Sequence, residues 1–133
     1  MAERTAYVAD THSLLWYLYD VPRLGSRAEA AFRAVSAGRA TLLIPAIVLA
    51  ELVHIVERRR HDIDVDEALD KIADADNFRV LSFDLEAARA LIDLTGIPEM
   101  HDRMIVAAAR DYGALLITRD ETITASGLVT VVW

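Results

Sequence analysis

The chain of 133 residues carries 21 acidic against 14 basic side chains, a formal charge of −7 with an isoelectric point near 5.0, and 54% of its residues are hydrophobic. That size suits one domain, residues 1–133, with its own core, and the lack of any cysteine excludes disulfides, thiolate zinc sites, iron–sulfur clusters and cysteine nucleophiles, so a reducing cytoplasm is the expected compartment. The negative balance argues against a broad basic face for nucleic acid, and the apolar stretch at the amino end is too short for a signal segment or a membrane span of about 20 residues.

Residues Thr5 to Ala9 form a β-leaning apolar run ending at Asp10, and Leu14, Leu15, Leu18 and Tyr19 then recur at helical spacing toward Pro22. Ser26 with Glu29 three residues on reads as a capping box for a second helix that runs to Gly38. Thr41 to Ile44 reads as a buried strand, with Pro45 suited to the first turn of a helix over Ala46–Arg59. His61–Asp64 breaks the pattern before an amphipathic helix over Val65–Ala75, and Phe78 to Phe83 alternates as a third strand. Asp84 is placed to cap a helix to Thr95 closed by Gly96 and Pro98, and a further helix covers about Met100–Tyr112, ended by Gly113. Ala114 to Thr118 is a fourth strand, Glu121–Ser126 a short helix, and Leu128–Val132 a fifth strand. Strands that alternate with helices and are apolar on both faces predict a parallel sheet between helical layers.

The charges inside the apolar stretches are the informative ones. Asp10 is the only charged residue between Arg4 and Asp20, and Glu51 is the only one in the 17 residues between Arg39 and Glu57. Asp120 follows the apolar ALLIT run beside Arg119, and Asp102 opens the apolar MIVAAA helix. An unpaired carboxylate is costly to bury, so pairing, protonation or metal coordination is expected. Taken singly, Asp10 and Asp120 suit a helix N-cap and Asp102 suits a first helical turn. Glu51, flanked one turn away by Ile47, Val48, His54 and Ile55, has no capping explanation. In open parallel sheets the functional crevice lies at the carboxyl ends of the strands. Four acids meeting there would call for Mg²⁺ or Mn²⁺, and would support metal-assisted phosphodiester hydrolysis by an ion-activated water.

The opening VADTHSLLWYL, the mid-chain AELVH, the block HDRMIVAAARDYGALLITRDETI and the final VVW resemble PIN-domain proteins, and more narrowly the VapC-type toxin ribonucleases of bacterial toxin–antitoxin systems. The resemblance covers essentially the whole chain. It implies a Rossmann-like three-layer α/β/α sandwich with a parallel sheet of about five strands and a Mg²⁺- or Mn²⁺-dependent endoribonuclease site. Its acidic positions fall on Asp10, Glu51, Asp102 and Asp120, and Thr118 matches a hydroxyl residue that helps to hold such sites. It also implies RNA as substrate, a homodimer, and an antitoxin whose terminal segment lies over the toxin, with DNA reached only through that partner. The segment GIPEMHDR before Asp102 departs from the usual pattern and leaves the shape of the substrate entrance open.

Other features carry less. His12, His54 and His101 neighbour the acids, but their spacing does not suit a zinc site, and His101 reads as an ordinary packing or surface residue. The run Glu57-Arg58-Arg59-Arg60-His61 is the only basic cluster and reads as a solvated helix end. Trp16, Tyr17 and Tyr19 cannot all face the core, so one is expected outward. Two functional classes follow: the metal-dependent endoribonuclease, and a non-catalytic PIN-like interaction module that binds an antitoxin and takes part in operator regulation. If four of the 21 acids form a metal site, 17 remain against 14 bases, and the overall acidity no longer opposes an RNA substrate.

Overall fold

The computed structural model describes residues 4–59 and 63–133. In chain order the elements are β1 (Thr5–Ala9), α1 (Thr11–Leu18), α2 (Ser26–Ser36), β2 (Ala40–Pro45), α3 (Ala46–Arg59), α4 (Val65–Asp74), β3 (Phe78–Leu81), α5 (Leu85–Arg89), α6 (Met100–Asp111), β4 (Leu115–Ile117), α7 (Glu121–Ser126) and β5 (Val131–Val132). The five strands form one sheet in the order β3-β2-β1-β4-β5, and every pairing is parallel. This is the expected three-layer arrangement, with α2 against β2 and β5 and with α6 against β1, β2 and β4.

The order positions the site. The chain builds outward from β1 through β2 to β3, then returns with β4 on the other side of β1. The connections leave the sheet in opposite directions at the carboxyl ends of β1 and β4, which opens a crevice there. The Asp10 N–H donates to Ile117 O at 3.1 Å, so the residue that ends β1 is tied to the end of β4.

Burial explains why these segments adopt their periods. Val8, Leu42, Ile44, Leu116 and Ile117 from the three central strands are essentially inaccessible to solvent, and Val48, Leu52 and Val56 form the buried stripe of α3 at four-residue spacing. Phe32, Val35, Ile105 and Val106 bring the helical layers onto the sheet. Each fully buried aliphatic or aromatic side chain of this kind contributes roughly 1.5–3 kcal/mol.

Several local expectations are corrected. Ser26 is the first residue of α2 and makes no capping bond, so the Ser26–Glu29 box does not form; Gly25 is the N-cap. The reason is tertiary. A Cβ at Gly25 would stand 2.6 Å from the Trp133 carbonyl carbon and 2.8 Å from its Cδ1, and the Trp133 carbonyl accepts the Arg27 N–H at 3.1 Å. Pro45 is the last residue of β2, paired with Leu81, rather than part of the helix behind it. The helix begun at Asp84 stops at Arg89 instead of Thr95. Beyond it Leu94 N–H bonds Leu91 O and Ile97 N–H bonds Leu94 O, turns of three residues that bury Leu94 and Ile97. Apolar residues spaced by three suit such turns better than a 3.6-residue helix. The third and fifth strands shrink to Phe78–Leu81 and Val131–Val132, leaving Phe83 exposed. None of the aromatics Trp16, Tyr17 and Tyr19 faces outward: Trp16 is buried, Tyr17, stacked on Phe32 at 4.3 Å, is half-buried, and so is Tyr19, the C-cap of α1. Of the basic cluster, Arg58 is exposed, while Arg60 and His61 lie outside the described residues. Among the described residues no helix is long and apolar enough to cross a membrane.

The contact at Gly25 makes a direct prediction. Gly25→Ala forces the Trp133 backbone to shift, and overpacking of this kind costs about 1–3 kcal/mol. Urea denaturation is expected to show a lowered midpoint with an unchanged slope.

Candidate functional site

Asp10 is held from two directions. Its Oδ1 accepts the Ser13 N–H at 2.9 Å and so caps α1, while its Oδ2 accepts the Thr118 hydroxyl at 2.5 Å. The capping role expected for this residue is thus filled by one oxygen, while the other is held by Thr118. Thr118 is fully buried, and its Oγ1 also accepts the Asp120 N–H at 3.1 Å. A single hydroxyl thus joins the first acid to the last. Asp120 does not follow β4 directly, since Thr118 and Arg119 intervene, and its Oδ1 caps α7 through the Ile123 N–H at 2.8 Å.

Glu51 lies in the second turn of α3, half-buried beside the apolar stripe. Its Oε1 accepts the Thr11 hydroxyl at 2.9 Å, and its Oε2 lies 3.1 Å from His101 Nδ1. Thr11 is buried at the start of α1, so the residue after Asp10 orients the second acid. Asp102 stands in the first turn of α6, and the next residue fixes how that helix begins: Arg103 Nε and Nη2 both donate to Ile97 O, at 3.0 and 2.8 Å. The buried Ile97 thereby anchors the segment that leads into Asp102.

The electrostatics bring the four acids together. The Asp102 carboxyl is pushed up to about 6, first by burial and then by the negative charges of Asp120, Glu99, Glu51 and Asp10. All three other predicted acids act on this one. Among the described residues no arginine or lysine is ion-paired with any of the four; His101 alone approaches, between Glu51 and Glu99. Mutual repulsion is left uncompensated by the protein's own cations, which fits a site made for an external one. The oxygen-only donor set suits a hard divalent cation. In the present arrangement no group of three or more His, Asp or Glu side chains among the described residues is close enough to hold one ion, so the acids surround the crevice without closing on a single point.

The comparisons with known proteins agree with this architecture. The sequence matches the family model described as PIN domain over residues 7–125. The chain belongs to the PIN domain family. A search of curated proteins finds no match. Among solved structures, this PIN domain is similar to VapBC2 from Rickettsia felis bound to a DNA fragment from its promoter, with a TM-score of 0.68, 17% identity and coverage of 96% of this chain and 97% of the other. It is also similar to FitAcB from Neisseria gonorrhoeae, with a TM-score of 0.68, 20% identity and 94% and 95% coverage. A third is Mycobacterium tuberculosis VapC20, a sarcin–ricin loop cleaving toxin, with a TM-score of 0.63, 19% identity and 96% and 99% coverage. At these identities the likeness is one of fold, and the PIN domain here resembles toxin–antitoxin components over nearly its whole length.

Sequence reasoning missed two contacts of the site. Thr11 had no periodic or charge signal to mark it, and His101 was read as an ordinary residue although it reaches Glu51 from another helix. His54 is exposed, and His12 faces a neighbouring cleft.

Two outcomes follow for stability. An acid whose folded-state pKa is raised destabilises the fold as pH climbs from about 4 through about 6, and the cost is complete above that. Asp102→Asn is therefore expected to stabilise the metal-free PIN domain at pH 7 to 8 by on the order of 1 kcal/mol, a figure that allows for solvent screening of a partly exposed group, with the gain vanishing near pH 4. Thermal melts of both proteins across that range measure it. Thr118→Val leaves Asp10 Oδ2 and the Asp120 N–H without their partner and costs about 1–3 kcal/mol, whereas Thr118→Ser, which keeps the hydroxyl, costs less; calorimetry of the three proteins decides.

Proposed function

We propose that the chain is a divalent-metal-dependent endoribonuclease, the toxin of a type II toxin–antitoxin pair, in which Asp10, Glu51, Asp102 and Asp120 hold Mg²⁺ or Mn²⁺. The observation that carries this reading is the hydrogen-bonded grouping of the acids at the ends of β1 and β4, where Thr118 joins Asp10 to Asp120 and Thr11 holds Glu51, with no arginine or lysine among the described residues paired to the cluster. A bound divalent ion supplies charge neutralisation and Lewis acidity for hydrolysis of a phosphodiester.

The chain's own groups set the stage for that chemistry. The Ser13 N–H and the Thr118 hydroxyl hold the two oxygens of Asp10 in a fixed orientation. Thr11 and His101 orient the two oxygens of Glu51 separately, so its rotamer is set before any ligand arrives. Asp102, partly buried and raised by the negative charge of the other acids, gains from a neighbouring cation. Asp10 and Glu51 are held by these bonds, so the approach of the acids to a common ion falls to the remaining side chains.

An antitoxin partner is supported by the complexes among the structural neighbours, some of them on DNA, such as FitAB bound to an IR36 DNA fragment and DNA-bound VapBC from Salmonella typhimurium. For this chain we propose the same relation: a homodimer that binds an antitoxin and reaches operator DNA through it, in the cytoplasm.

Purified protein incubated with RNA and Mg²⁺ or Mn²⁺ is expected to cleave it, and Asp10→Asn to lower the rate by on the order of a hundredfold or more. Chelation is expected to abolish cleavage. Equal cleavage by wild type and Asp10→Asn removes the ribonuclease reading. No metal binding by calorimetry together with tight binding of an antitoxin would favour the non-catalytic interaction module.

A further inference from the structure

Beside the acidic crevice lies a cleft of about 340 Å³ that shares Asp10 and Asp120 with it. The rest of its wall holds two arginines and two tryptophans, which are the only tryptophans of the chain. The Arg119 guanidinium lies 5.0 Å from the Trp16 ring centre and 5.9 Å from that of Trp133, and the Arg23 guanidinium lies 5.8 Å from Trp16. The indoles meet edge-on at 6.1 Å. Both arginines are exposed while Trp16 is buried beneath them. Neither is ion-paired among the described residues, although two carboxylates line the same cleft.

That arrangement has a chemical meaning. An indole face attracts the guanidinium through its quadrupole and restrains the side chain, yet it uses none of the N–H donors at the guanidinium edge. Two planar cations are thus held on an aromatic floor with their donors unspent. Neither guanidinium is ion-paired among the described residues, and the geometry of a guanidinium edge matches a phosphate. Guanidinium planes also stack on unpaired bases.

We propose that Arg23 and Arg119, seated on Trp16 and Trp133, form a clamp for single-stranded RNA that grips a backbone phosphate beside the one presented to the acids. The proposal rests on the ribonuclease reading for its placement of the scissile phosphate. The clamp offsets the repulsion that an acidic molecule exerts on RNA, and it does so within a few residues of the site rather than across a basic surface. Asp120 and Arg119 are adjacent in sequence, so the same turn after β4 delivers both an acid and a cation to this cleft.

The test uses the full chain, a fluorescein-labelled single-stranded RNA oligonucleotide and Ca²⁺ in place of Mg²⁺, with the RNA checked intact on a gel. Arg23→Gln and Arg119→Gln are each expected to weaken binding on the order of fivefold. Together they should flatten the dependence of log K on log salt by about 1.4, which is two phosphate contacts at roughly 0.7 each. Arg119→Lys restores the charge and is expected to recover the slope. RNA should also perturb the wild-type tryptophan emission, since both indoles lie at the cleft. If the double variant does not fold, Arg23→Gln carries the test, because its side chain is exposed. Unchanged affinity and salt slope in a folded variant, no RNA binding by the wild type, or binding without any change in emission overturns the clamp. Absence of RNA cleavage with Mg²⁺ or Mn²⁺, while binding still depends on both arginines, would instead remove the ribonuclease reading and leave the clamp in place.

Discussion

The double restraint on Asp10 is the interaction from which the rest of the site is laid out. One oxygen closes the N-terminus of α1 and the other takes a buried hydroxyl from beyond β4, so the carboxylate cannot rotate without breaking a helix cap or orphaning Thr118. The bond between Asp10 N–H and Ile117 O adds a backbone tie at the same point. From this fixed acid the neighbours follow: Thr11, next in the chain, turns to Glu51, and Thr118 sets the backbone of Asp120. The crevice is therefore rigid where it meets the sheet. Rigidity on the sheet side is what a parallel α/β fold offers a site, because strand ends move less than the loops beyond them.

Charge is the second theme, and it opposes the first. Hydrogen bonds organise the acids, while their proximity works against the fold, most visibly at Asp102. A protein that selected for stability alone would place an arginine there or an asparagine in its stead. Local destabilisation concentrated at one crevice, with the remainder of the core apolar and tightly filled, is the usual mark of a site kept for use rather than for folding.

Much of this was legible from the residues. The alternation of apolar runs with 3.6-residue periods predicted a parallel sheet, and the four acids stood out because each interrupts or abuts a stretch that carries no other charge. What escaped was set by contacts distant in the chain. Gly25 replaces Ser26 as the cap of α2 because Trp133 arrives over it, and no local pattern near residue 25 announces a partner at the other end of the molecule. The early end of α5 was readable in principle: Leu91, Leu94 and Ile97 are spaced by three, and that spacing belongs to tight turns. His101 and Thr11 each contact Glu51 across 50 and 40 residues, beyond the reach of any periodicity. At the sheet edges the third strand was overread at Phe83, which is exposed, and the fifth at Leu128 and Val129, which pack half-buried on the core ahead of the strand.

The position of β1 in the sheet has a consequence for how the molecule comes into being. The first strand made is the central one, and the hydroxyl that secures its terminal acid lies 108 residues later. On the ribosome β1 can pair early with β2, but its other edge waits for β4, and Asp120 for the turn after it. Contacts of such long sequence separation form late. The acidic crevice is consequently incomplete until β4 and the turn that bears Asp120 are in place, an order of assembly that follows from strand order alone.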